Sequence, residues 1–177
     1  MCVHAGVDQL SDFKSFVFDH EGPSAPCFAS GGSGVGAVDM CVSGNFALTM
    51  TVDDAVGAPV LAHPSFPLPV TRGKAAALHV MPETLENARR RIRNEGLKVL
   101  GVQFTGDVLF CRRARFDSLR RELGDGFEAV EVLGRSANPH AEPPHSVLMI
   151  GLIDKEGEPT REAVDRVVGF LRERLCG

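Results

Sequence analysis

The 177-residue chain carries 44 % hydrophobic residues, enough to bury one substantial core in a single domain. A formal net charge of -4 without long blocks of one sign, and the absence of Trp and Tyr, argue against a nucleic-acid-binding surface. No apolar run reaches the roughly 18 residues a membrane helix needs, and "MCVHAGVDQLSDFKSF" lacks the features of a signal peptide, so a cytoplasmic protein is expected.

In chain order, residues 1–30 form a poorly defined N-terminal segment: "LSDFKSFVFDH" suggests a short helix and "EGPSAPCFASGGSG" a loop. "GGSGVG" resembles a phosphate-binding loop, but it precedes a strand and no Lys-Ser or Lys-Thr follows, so nucleotide binding is not expected. A strand is predicted over Val35 to Met40, a helix over Gly44 to Thr51 and a buried strand over "AVGAPVLAH", with Val56 to Ala62 at its centre. Prolines 64, 67 and 69 and Gly73 predict a loop from Pro64 to Ala77.

"PETLENARRRIRNEG" reads as an amphipathic helix, with Pro82 in its first turn, Leu85, Ala88 and Ile92 on one face and Gly96 as its C-terminal cap. "LKVLGVQF" is the third strand, "RARFDSLRRELG" a helix burying Phe116, Leu119 and Leu123, and "FEAVEVL" the fourth strand. A last helix from near Pro159 presents Val164, Val168, Leu171 and Leu175 to the core. Strands alternating with helices predict an α/β fold: a mostly parallel sheet of about four strands with helices on both faces.

The five cysteines, at positions 2, 27, 41, 111 and 176, are odd in number and scattered, which suits reduced thiols. Neither they nor the six histidines show metal-ligand spacing, so no metal and no cofactor is expected. Arginines 89, 90, 91 and 93, and 112, 113, 115, 120 and 121, mostly stand beside acids and read as solvated helix surface.

In "VGAVDMCVSGNFALTM", Cys41 lies between a strand and a helix, where a sharp turn would present a nucleophile to the backbone N–H groups of the helix N-terminus. A buried, unreactive thiol is the other reading of Cys41. Ser43 is the rival nucleophile, although its position suits a helix cap better. Asp107 follows the third strand and His145 the fourth, at the sheet edge where sites assemble in open α/β folds. The pair offers an acid to orient an imidazole and an imidazole to move the thiol's proton. Asp107 also suits a turn, and His140 competes with His145.

From about Gly32 onward the chain resembles the dienelactone hydrolase family of α/β-hydrolases, through "DMCVSGNFAL", "VLGVQFTGD", "RFDSLRRELGDGFEAVEV" and "NPHAEPPHSVL" in family order. The resemblance implies Cys41 as nucleophile, Asp107 as acid and His145 as base, with the Val42 amide holding the oxyanion during cleavage of a small-molecule ester or lactone. It also implies that residues 1–177 form a single, truncated domain, the C-terminal part of the fold, because some 34 residues before Val35 leave no room for four further strands. A homodimer or a partner chain covering the exposed sheet edge follows from that expectation. The alternative is a catalytically inactive remnant or binding module of the same fold. Asp39 and Asn45 stand where the family carries glycine, and Asp39 is expected to crowd the turn or to disfavour the thiolate. Met149 replaces a substrate-binding arginine, which argues against dienelactone itself as substrate.

Overall fold

The computed structural model describes residues 2–3, 34–43, 45–111, 113–141 and 143–176; the helix and loop expected before residue 31 lie outside them. Four parallel strands run in sequential order, β2 (Val35–Met40), β3 (Val56–Ala62), β4 (Val99–Thr105) and β5 (Phe127–Leu133), and β1 (Cys2–Val3) pairs antiparallel with β2. The α/β architecture is therefore the expected one; β2 and β5 have the predicted limits, and β3 is the predicted strand without its first and last residue.

Helices cover both faces because side chains alternate across each strand. Val38, Val60, Ala62, Val102 and Phe104 pack under α5 (Pro159–Leu175), through Ala163, Val164, Val167, Phe170 and Leu171. Ala37 and Leu61, their sequence neighbours, point the other way. They join Ala47 and Leu48 of α1 (Phe46–Thr49), Ala88 of α3 (Pro82–Glu95), and Phe116 and Leu119 of α4 (Arg113–Leu123). Gly96 closes α3 at φ 67°, the left-handed conformation its cap position requires.

Two local expectations are corrected. The helix expected over Gly44 to Thr51 is only the single turn α1, flanked by 3-10 turns at Cys41–Ser43 and Met50–Val52. The predicted loop contains α2 (Arg72–Ala76), started by the Thr71 hydroxyl, which accepts from the Lys74 amide. Gly34, within "GGSGVG", serves backbone packing: at φ 131° it lies where a Cβ would stand 2.3 Å from Ala55 O, and the next amide, Val35, donates to that oxygen at 2.7 Å. Among the described residues no helix is long and apolar enough to cross a membrane.

Two arginines depart from the solvated-surface reading. Arg91 is buried and donates to the carbonyls of Thr51, Asp53, Asp54 and Val56, holding the connection from α1 to β3. Arg115 is fully buried and donates to Pro64, Pro67, Lys74 and Ala77, fastening the loop after β3 from below. Desolvation lowers the Arg115 pKa from its ordinary value. The planar fork reaches several carbonyls at once, which an ammonium cannot do. Arg115→Lys is expected to cost about 2–3 kcal/mol in chemical denaturation, because it strands several buried carbonyls; a loss below about 0.5 kcal/mol would contradict this role.

Candidate active site

Cys41, His63, Asp107 and His145 follow β2, β3, β4 and β5 respectively, so all four parallel strands deliver a polar group to one edge of the sheet. Cys41 sits directly after β2 at φ 59°, a conformation that non-glycine residues rarely adopt. Strain of this kind persists only where the surroundings enforce it. Here the Cys41 carbonyl accepts from the Ser65 amide at 2.9 Å. That carbonyl and the Val42 N–H belong to one planar trans peptide and point in opposite directions. Fixing the first toward the β3 loop therefore aims the Val42 amide away from it.

Asp39 does not turn its charge on the sulfur. Its Oδ1 accepts from the Met40 amide at 3.0 Å and its Oδ2 from the Ala47 amide at 3.2 Å. The carboxylate thus caps the first turn of α1, the role considered for Ser43, whose side chain lies outside what the structure describes. With only one turn behind it, the helix dipole is a small influence on Cys41.

His145, not His140, reaches the acid. His145 Nδ1 donates to Asp107 Oδ2 at 2.6 Å, whereas His140 is exposed and its amide bonds Asn138 Oδ1 at 3.0 Å. Asp107 also fulfils the turn role: its Oδ1 accepts from the Phe110 amide at 2.9 Å. Burial alone would raise the Asp107 pKa, but the bonds from His145 and Phe110 outweigh it, and the carboxyl titrates below its ordinary value. Cys41 lies close enough to the His145 imidazole to raise its pKa. With Nδ1 committed to Asp107, Nε2 is the nitrogen left to exchange a proton with the sulfur. Burial works to lower the His145 pKa, yet the bond to Asp107 and the neighbouring Cys41 carry it up to about 9.

His63 is the site residue that sequence reasoning missed. It is fully buried at φ 50°, its ring centroid 4.9 Å from that of His145, and the Phe104 amide donates to its Nε2 at 2.8 Å. The proton of the neutral ring is therefore on Nδ1, and the 3.5 Å approach of the Val147 amide to that nitrogen is a contact, not a second bond. Desolvation first, and the neighbouring His145 second, push its pKa down to about 3. One imidazole is kept neutral so that the other can hold a charge beside it. Phe110 packs on His145 at 4.8 Å, so the working ring is held between Phe110 and His63. The available signal was the position of His63, one residue past a buried strand.

His63, Asp107 and His145 also bring ligand-type atoms within 4.8 Å of one another. Phe104 already uses Nε2 of His63, and Asp107 and His145 bond each other, so these atoms serve as a hydrogen-bonded set. Each polar residue is followed by exposed apolar ones: Val42 and Phe46, Phe66 and Leu68, Val108 and Leu109, Met149 and Ile150. The mouth of the site is an apolar surface around a charged centre.

The thiols fall into distinct classes. Cys41 is free and half-buried; Cys111 is free, buried and raised to about 12, chiefly by desolvation. Cys176 is disulfide-bonded, which corrects the expectation of reduced thiols at that position. Limiting iodoacetamide should label Cys41 at least tenfold faster than Cys111, as read by peptide mapping; equal rates would contradict the site as described. Comparison with protein-family models, curated proteins and solved structures finds no match to this chain.

Proposed function

We propose that the chain is a cysteine hydrolase of the dienelactone hydrolase type, cleaving a small ester or lactone through an acyl-enzyme on Cys41. The observation that carries this reading is His145, bonded through Nδ1 to Asp107 at 2.6 Å and raised in pKa by that bond and by the neighbouring Cys41. In the proposed cycle the sulfur attacks the carbonyl carbon while its proton resides on His145 Nε2. The Val42 N–H, set by the Cys41–Ser65 bond, stabilises the charge on the carbonyl oxygen. His145, a strong enough base to hold the proton to about pH 9, delivers it to the departing alkoxide. It then takes a proton from water, whose oxygen attacks the acyl carbon; the C–S bond breaks, the carboxylic acid leaves, and the sulfur and His145 share that proton as at the start. Asp107 keeps Nδ1–H in place throughout.

A cytoplasmic setting belongs to the same proposal, since a reducing environment keeps a half-exposed thiol reactive, and the disulfide at Cys176 is the observation that counts against it. So does a homodimer or partner at the sheet edge: among the described residues β1 spans only Gly36 and Ala37 of β2. The inactive-remnant reading predicts the same fold and the same hydrogen bonds without turnover. An activated acetate ester separates the two: the hydrolase reading expects a burst of alcohol release followed by slow turnover, both abolished by prior alkylation. A rate unchanged by alkylation would reject it.

A further inference from the structure

Beside the Cys41 turn lies a pocket of about 260 Å³ lined by Val42, Asn45, Phe46, Thr49, Phe66 and His79. Its place is set by the same segment that carries the reactive sulfur, because Val42, one of the lining residues, follows Cys41 directly. No Lys, Arg, Asp or Glu lines it. Val42 and Phe46 are 66 % and 62 % exposed, values that leave large apolar side chains without cover at a site mouth. The volume is near the lower end of small-molecule sites, which suits a single ring or a short chain.

The far wall is built to stay in place. Asn45 Nδ2 donates to Phe66 O at 2.6 Å, joining the loop after β3 to the start of α1. Arg115 holds the carbonyls of Pro64 and Pro67 on either side of Phe66. The Phe66 ring meets His79 edge to face at 4.7 Å. A wall fixed through three neighbouring carbonyls leaves less ordering to be done when a ligand enters.

We infer that this pocket selects neutral substrates bearing a small apolar substituent beside the carbonyl and disfavours anionic ones. The inference rests on Cys41 as the reactive group of the proposed function, but it concerns binding next to the sulfur and does not require turnover. A carboxylate entering the pocket would lose water and find no Lys or Arg among the lining residues, whereas an alkyl chain or phenyl ring would exchange water for Phe46, Phe66 and Val42.

The test measures second-order rates of Cys41 labelling by N-methyl-, N-ethyl- and N-propylmaleimide and by 3-maleimidopropionate, each divided by its rate with glutathione and assigned by peptide mapping. The expected result is a rise of about two- to fourfold per methylene and an anionic reagent at least fivefold slower than N-propylmaleimide. Thr49→Phe, which fills the pocket, and Phe46→Glu, which charges an exposed wall, should each bring the propyl-to-methyl ratio close to one. A flat wild-type series, or an anionic reagent as fast as the propyl one, overturns the inference. A rising series in a protein that hydrolyses no ester supports the pocket while rejecting the hydrolase reading, so the two failures are distinguishable.

Discussion

Replacing Cys41 by Ala is expected to reduce ester hydrolysis to the uncatalysed background, and His145→Ala to lower kcat/KM by about 10³-fold or more. Both changes remove a group that acts in the proposed bond-making step, so the effects should not add in the double variant. Asp107→Asn tests the geometry more finely. It keeps the size of the side chain but removes the charge and one of the two acceptor oxygens, so that one oxygen is left for both the Phe110 amide and Nδ1–H of His145. Its rate should fall by about two to four orders of magnitude, mainly in kcat, since Asp107 touches His145 rather than substrate. The pH profile should move with it. In the wild type the imidazolium needed to protonate the leaving group persists until about pH 9. Without the Asp107 bond the alkaline limb should shift toward the ordinary histidine value. An unchanged limb would show that another group controls it.

Lowering the pH below 6.5 is expected to destabilise the protein through His63. Its folded-state pKa is depressed to about 3 against 6.5 when unfolded, so only the unfolded chain gains a proton in that interval. The sign follows: the neutral, buried ring contributes full stability above 6.5, and this contribution is lost as pH falls toward 3. The slope is about 1.4 kcal/mol per pH unit, or about 4 kcal/mol by pH 3.5. His145 has the opposite sense, because its folded pKa is raised: its contribution is full below 6.5 and is lost as pH rises through about 9. Asp107, with a lowered folded pKa, adds to acid destabilisation only near and below the ordinary carboxylate range. Stability should therefore be greatest near pH 6.5. Urea titrations from pH 3.5 to 9.5 would read this, and His63→Gln, which still offers an oxygen to the Phe104 amide, should flatten the slope between 6.5 and 4.5. Equal slopes in wild type and variant would exclude His63 as the source.

What the sequence discloses here depends on how local the cause is. The limits of β2 and β5, the centre of β3, and α3 with Gly96 at its end, follow from short-range alternation, periodicity and capping chemistry, and the structure keeps them. The stretch after Cys41 is less legible. Asp39 takes the Ala47 amide from eight residues away, and α1 is a single turn between two 3-10 turns. Proline content conceals α2, whose start depends on one hydroxyl of Thr71.

At the site, Cys41 and Asp107 are readable as candidates from their strand-end positions and His145 from the long loop after the fourth strand, because a parallel sheet gathers such positions along one edge. His63 has the same kind of position but no partner visible in sequence. Its donor is the Phe104 amide, 41 residues away, and its neighbour His145 is brought there only by the fold. Arg91 and Arg115 were hidden for a related reason. In sequence they resemble their surface neighbours, while their acceptors are backbone carbonyls of other loops. Side-chain patterning carries no record of such acceptors.

The central claim is that Cys41 carries an acyl group during turnover, and quenched-flow mass spectrometry with an activated ester tests it most directly. Acid quenching within the burst should give a protein heavier by one acyl group, mapped to the peptide containing Cys41 and absent after prior alkylation. The adduct should accumulate further in His145→Ala whenever acylation is forced by a very good leaving group, because deacylation then lacks its base. An unmodified protein throughout the burst, or an acyl group found on any other residue, would contradict the account.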